Sequence, residues 1–193
     1  TNTGTIGGSG SVGSLTITDG GALAPGNSPG TLFASSSTWA DGGSYDWEIL
    51  SLDDDPGTSW DLLSITNSGT LNLSGLTAGE FTINLITLSG PTTQGLLAGF
   101  NATSNYSNWL IASASDIIGF EAGDFFLNTA GFANPYSGTF GIMTNTVAGG
   151  GKGLFLTYSG GGEPIPEPGT WAAAALLAAT AGFMRWRRRN VKG

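Results

Sequence analysis

The sequence predicts an all-β chain: the end of a parallel β-solenoid (β-helix) with a β-rich cap, then one short C-terminal transmembrane helix. Three observations carry this. Glycine makes up 33 of 193 residues, well above the ordinary share of about 7%, and Ser, Thr and Asn are abundant; all of these favour turns over helix interiors. Short apolar/polar alternations with period two recur between the turns, as in half-buried strands. A long uncharged stretch rich in Ala and Leu occupies residues 168–184. A β-sandwich is the alternative for the body. By length the chain holds one domain or two.

Residues 1–90 read as solenoid rungs. Ser14, Leu15, Thr16, Ile17 and Thr18 alternate and end at Asp19-Gly20-Gly21. A short strand around Leu23 follows, then a turn through Pro25, Gly26, Asn27 and Pro29. Pieces this short, broken by Gly, Asn and Pro, suit stacked coils. Strands are expected at residues 44–50 with Tyr45 and Trp47, at 61–65, at 69–73 with Leu71 and Leu73 on one face, and at 80–86 with Phe81, Ile83 and Leu85 on one face. Residues 91–159 read as the cap, with strands around residues 109–114 and 153–159, because a solenoid needs an atypical end to cover its last open edge. Residues 160–165 form a linker.

Residues 166–193 form a tail. Pro168 can open a helix but not sit inside one. A helix over about residues 170–186 would run roughly 25 Å at ~1.5 Å per residue, short of a hydrocarbon core of ~30 Å. It spans only if Arg185 and Arg187 snorkel and Trp171 and Trp186 sit at opposite interfaces. Five of the six basic residues, Arg185, Arg187, Arg188, Arg189 and Lys192, directly abut the apolar run. That places the C-terminus in the cytoplasm and the body outside the inner membrane.

Charge and composition exclude several functions. Residues 1–163 hold thirteen acids against Lys152, a net charge of −12. An acidic body does not bind nucleic acid by counterion release. Histidine and cysteine are absent, which removes the commonest general base and every Ser-His or Cys-His mechanism, and disulfides with them. No catalytic, cofactor-binding or metal residue is assigned. Gly8, Gly10 and Gly13 match GxGxxG literally, but the strand-before, helix-after context of a dinucleotide site is missing. Asp53, Asp54, Asp55 and Asp61 offer oxygens for Ca²⁺ without EF-hand spacing, and a solvated acidic turn explains them more simply. Asp46 and Glu48 share a strand face and resemble a glycosidase carboxylate pair in spacing alone. Trp39, Tyr45, Trp47, Trp60, Tyr106 and Trp109 are candidates for a sugar-stacking platform or for the core.

Two resemblances add to this. The segment GSLTITDGGALAPGNSPGTL, with residues 23–32 its most specific part, resembles the autotransporter-associated β-strand repeat, and WDLLSITNSGTLNLSGL resembles terminal rungs of such proteins. The order WLIASAS, GF, DFFLNT, GTFGI, GLFLTY is similar to the segment that precedes a PEP-CTERM tail. Pro166-Glu167-Pro168, a short helix and Arg187-Arg188-Arg189, in that order, resemble the PEP-CTERM sorting signal in every part. A plain single-pass anchor does not call for Pro-Glu-Pro. The resemblance implies recognition by an exosortase, a membrane transpeptidase-like enzyme, with processing near Pro166, Glu167 and Pro168. It also implies a Gram-negative bacterium that makes extracellular polysaccharide, and an export signal upstream of Thr1. The expected function is then a non-catalytic surface, matrix or biofilm protein, passing through the inner membrane to the envelope or the exterior. A carbohydrate-binding or carbohydrate-cleaving β-helix acting on extracellular polysaccharide is the alternative.

Overall fold

A computed structural model describes residues 3–53 and 55–161, which belong to one compact unit, Thr1–Gly161. The sorting motif Pro166, Glu167 and Pro168, the expected helix and the cluster Arg185, Arg187, Arg188 and Arg189 lie outside the described residues, as does Asp54. No described helix is long and apolar enough to cross a membrane.

The described chain is all-β. Its strands are β1 (Thr5–Gly8), β2 (Gly10–Ile17), β3 (Ala22–Pro25), β4 (Thr31–Ala40), β5 (Ser44–Ile49), β6 (Leu62–Ile65), β7 (Thr70–Gly75), β8 (Phe81–Gly90), β9 (Thr93–Gln94), β10 (Tyr106–Ala114), β11 (Asp116–Ile118), β12 (Phe125–Asn128), β13 (Thr139–Thr146) and β14 (Lys152–Ser159). One 3-10 turn, Ala122–Asp124, precedes β12.

Pairing follows chain order. One sheet runs β1-β3-β5-β8-β12 with every neighbour parallel, and β9 forms a short antiparallel addition to β8. In the other, β2 pairs parallel with β4, β4 with β6 and β7, β6 with β10, and β7 with β11. Parallel pairing therefore runs past residue 90, through β10, β11 and β12. Antiparallel pairing takes over at β14, which lies between β10 and β13.

The second sheet bends. The first half of β4 pairs with β6 and the second half with β7. Leu32 and Ala34 face inward, then the phase shifts across Ser35 and Ser36, and Ser37 and Trp39 face inward. The bent sheet and the first sheet together nearly enclose one core. The turns stack as well: Gly20 N–H donates to Gly42 C=O (3.1 Å), Gly42 N–H to Glu80 C=O (2.9 Å) and Gly79 N–H to Gly123 C=O (2.9 Å). Gly20, Gly42 and Gly79 have φ of 72°, 74° and 77°, a left-handed conformation that glycine adopts without strain.

The core is aromatic. Trp39 stacks on Phe81 at 4.7 Å between centroids, with Tyr45 edge-on to it. Trp47 packs on Trp109, which stacks on Tyr106. Polar tips tie the two sheets together: Tyr45 OH donates to Ile111 C=O (2.9 Å), and Trp60 Nε1 to Leu110 C=O (2.9 Å). Buried Tyr and Trp keep such a partner because an unpaired buried donor is costly.

Candidate functional site

The densest set of titratable side chains lies where β5 meets the loop returning to β6. β5 alternates strictly: Tyr45, Trp47 and Ile49 point into the core, while Ser44, Asp46 and Glu48 point out. Asp61 follows the inward Trp60 and is itself buried, 1% exposed. Its Oδ1 accepts from Gly30 N–H (2.8 Å), and its Oδ2 accepts from Glu48 N–H (3.0 Å). Its own N–H donates to Glu48 C=O, and its C=O accepts from Trp47 Nε1. Ser28 Oγ donates to Glu48 Oε2.

Burial pushes the Asp61 carboxyl up to about 8. The two backbone donors pull the other way, and the carboxylates of Glu48 and Asp46 push up further. Burial, then the Asp61 charge, also holds the Tyr45 phenol above its ordinary value. Burial thus favours the protonated form of Asp61, while both Asp61 oxygens accept from backbone N–H groups. Asp61 clamps the turn through Gly30 to β5, a structural use of a carboxyl. Among the described residues no buried side-chain nitrogen or oxygen lacks a hydrogen-bond partner.

Asp46 belongs to a second arrangement. Asp46, Asn84 and Asn128 occupy one register position on β5, β8 and β12. Asn84 Nδ2 donates to Asp46 Oδ1 (2.6 Å), and Asn128 Nδ2 donates to Asn84 Oδ1 (2.8 Å). This ladder engages Asp46 Oδ1 with β8. The sequence hints at it only through outward Asn residues on two alternating strands; the register across 38 and 44 residues is not readable locally.

The other candidates resolve as follows. Trp39, Tyr45, Trp47, Trp60 and Trp109 are all at most 1% exposed, so the platform residues are core. Tyr106 is half-buried against Trp109 and Phe100. Gly8 ends β1, and Gly10 and Gly13 lie within β2, with no helix following. Asp53 and Asp55 are exposed while Asp61 turns inward, so the acids do not converge. The described residues contain no group of three acids able to hold a metal ion. Two open grooves flank the loop between β13 and β14, of about 430 and 300 Å³; Ser68, Ser113 and Ser115 help line the larger, Pro56, Asn108 and Phe155 the smaller, and neither is lined by a titratable side chain.

Compared with known proteins, the chain matches no protein-family model, no curated protein and no solved structure.

Proposed function

We propose that this chain is the closing part of an exported β-solenoid, a non-catalytic scaffold of a bacterial surface or matrix, sorted through its PEP-CTERM-like tail. The observation that best supports the solenoid is the chain-order parallel pairing β1-β3-β5-β8-β12, matched by β2, β4, β6 with β7, and β10 with β11. A β-sandwich would need antiparallel neighbours across its sheets. The hairpin β13–β14 serves as the cap, since it changes the pairing from parallel to antiparallel beside β10.

A scaffold role fits the chemistry. Asp61, Glu48 and Asp46 each accept a hydrogen bond that ties β5 or the chain after it to a neighbouring strand or loop. The carbohydrate reading loses its stacking platform to the core. Sorting rests on the order Pro166-Glu167-Pro168, apolar run and Arg187-Arg188-Arg189, with an exosortase-type membrane enzyme as partner.

Replacing Pro166, Glu167 and Pro168 with Ala in a host that carries an exosortase tests the sorting. The expected result is a larger product retained at the inner membrane. Unchanged size and location would sink the sorting reading and leave the scaffold reading standing.

A further inference from the structure

The outer face of the bent sheet carries two rows of side chains that run across its strands. One row is Phe33, Ser64, Ser113, Gly153 and Asn145, in register on β4, β6, β10, β14 and β13. The next row, two residues along, sets Thr31 beside Leu62 on β4 and β6, and Leu110, Phe155 and Met143 on β10, β14 and β13. Phe33 is 40% exposed and Met143 36%. A Cβ at Gly153 would meet Leu110, Phe155 and Val147 within 2.7 Å, so the glycine lets these three side chains close together as an apolar rail. The loop through Val147 divides the two open grooves, and Val147 lines both.

Neither row holds a charged side chain, in a body whose residues 1–163 carry a net charge of −12. That combination selects a ligand. A cation finds no carboxylate in the rows, and an anionic chain is repelled by the body around them. Hydroxyl and amide groups beside an apolar rail match a pyranose, which presents hydroxyl edges and C–H faces. A bare aromatic ring such as Phe33 packs on a C–H face. Neighbouring strands lie about 4.8 Å apart, close to the length of one sugar unit in an extended chain. A chain laid across the strands therefore meets one outward side chain per unit. Open grooves suit a polymer that passes through, whereas a small molecule is held in an enclosed cavity. We propose that this face is a binding track for a neutral, linear polysaccharide. Phe33 is its stacking residue, and Ser64, Ser113 and Asn145 are its hydrogen-bonding residues. Asn145 Oδ1 accepts from the Thr146 N–H, which turns the amide Nδ2 into the donor for a sugar hydroxyl. The track is separate from the buried tryptophans of the core. It rests on register and outward side chains alone, and depends on neither the tail nor the solenoid reading.

The test is native electrophoresis of the 193-residue chain in mild detergent, through gels cast with and without a soluble polymer. Hydroxyethylcellulose, glucomannan and pullulan are the neutral probes, and polygalacturonate is the anionic one. The expected result is retardation by a neutral polymer and none by polygalacturonate. Phe33→Ala should weaken that binding roughly tenfold, with an unchanged circular dichroism spectrum. Asn145→Ala, at the exposed far end of the row, should weaken it to a smaller extent. Phe126→Ala removes a ring that is 56% exposed on the outer face of the other sheet and should leave binding unchanged. Absence of retardation by every neutral polymer, or equal retardation by polygalacturonate, would overturn the proposal. So would binding indifferent to both Phe33→Ala and Asn145→Ala, or a loss in Phe126→Ala equal to that in Phe33→Ala.

Discussion

Asp61 is the residue with the most to say about conditions. Its carboxyl has an unfolded value of 3.8 and a folded value of about 8. Between those values the folded chain binds a proton that the unfolded chain does not, so stability falls as pH rises from about 4 to about 8. The contribution is present below the unfolded value and lost through the folded one. Burial sets the direction, the two backbone N–H donors oppose it, and Asp46 and Glu48 reinforce it. We predict a melting temperature that drops from pH 5 to pH 8.5, by an amount equivalent to about 4 kcal/mol. In Asp61→Asn this part of the slope should disappear; a slope equal to that of the unsubstituted chain would show that Asp61 is not its source. Trp47 makes a second residue-scale case. Trp47→Ala should cost ~3–5 kcal/mol in denaturant unfolding, as large core truncations do, because the indole packs on Trp109 and caps the Asp61 carbonyl. A neutral Trp47→Ala would contradict its placement in the core. The alternation of Tyr45, Trp47 and Ile49 was readable from the sequence, because period two needs no partner to be seen. The fate of Asp61 was not: it stands after an acidic turn, and only the return of Trp60 beside Ile49 carries it inward.

At the scale of elements, the side-chain ladder and the hairpin divide the labour. The Asp46–Asn84–Asn128 ladder joins β5, β8 and β12 on the outer face, where Asn84→Ala should remove two hydrogen bonds worth about 1 kcal/mol each, read as a lower urea midpoint. No change in midpoint would mean that water replaces the ladder at no cost. The hairpin β13–β14 covers β10, burying Leu154, Leu156 and Tyr158. Tyr158 OH accepts from Gly138 N–H (2.9 Å) and donates to Ala102 C=O (2.8 Å), pinning the hairpin to the loop before β10. Deleting residues 138–161 should leave β10 as an unprotected apolar edge and promote aggregation, measured by light scattering. A folded remainder that does not aggregate would contradict this protective role of the hairpin. Strands such as β6, β7 and β8 follow their expected positions closely, since Leu63, Leu71 and Ile83 mark their inward faces. Which strands are parallel depends on register between segments 17 to 49 residues apart, which local patterning does not encode.

For the whole molecule, an acidic all-β body precedes a tail that we propose addresses it. The body has a core built without disulfides, and the tail holds five of the six basic residues, so cutting near Pro166 would leave a product that is almost purely acidic. The intact mass of the chain recovered outside an exosortase-bearing host tests this most directly. The account predicts a released body ending near Pro166–Pro168 and lacking Arg185 to Gly193. A full-length chain, still carrying its arginines and held in the inner membrane, would contradict it.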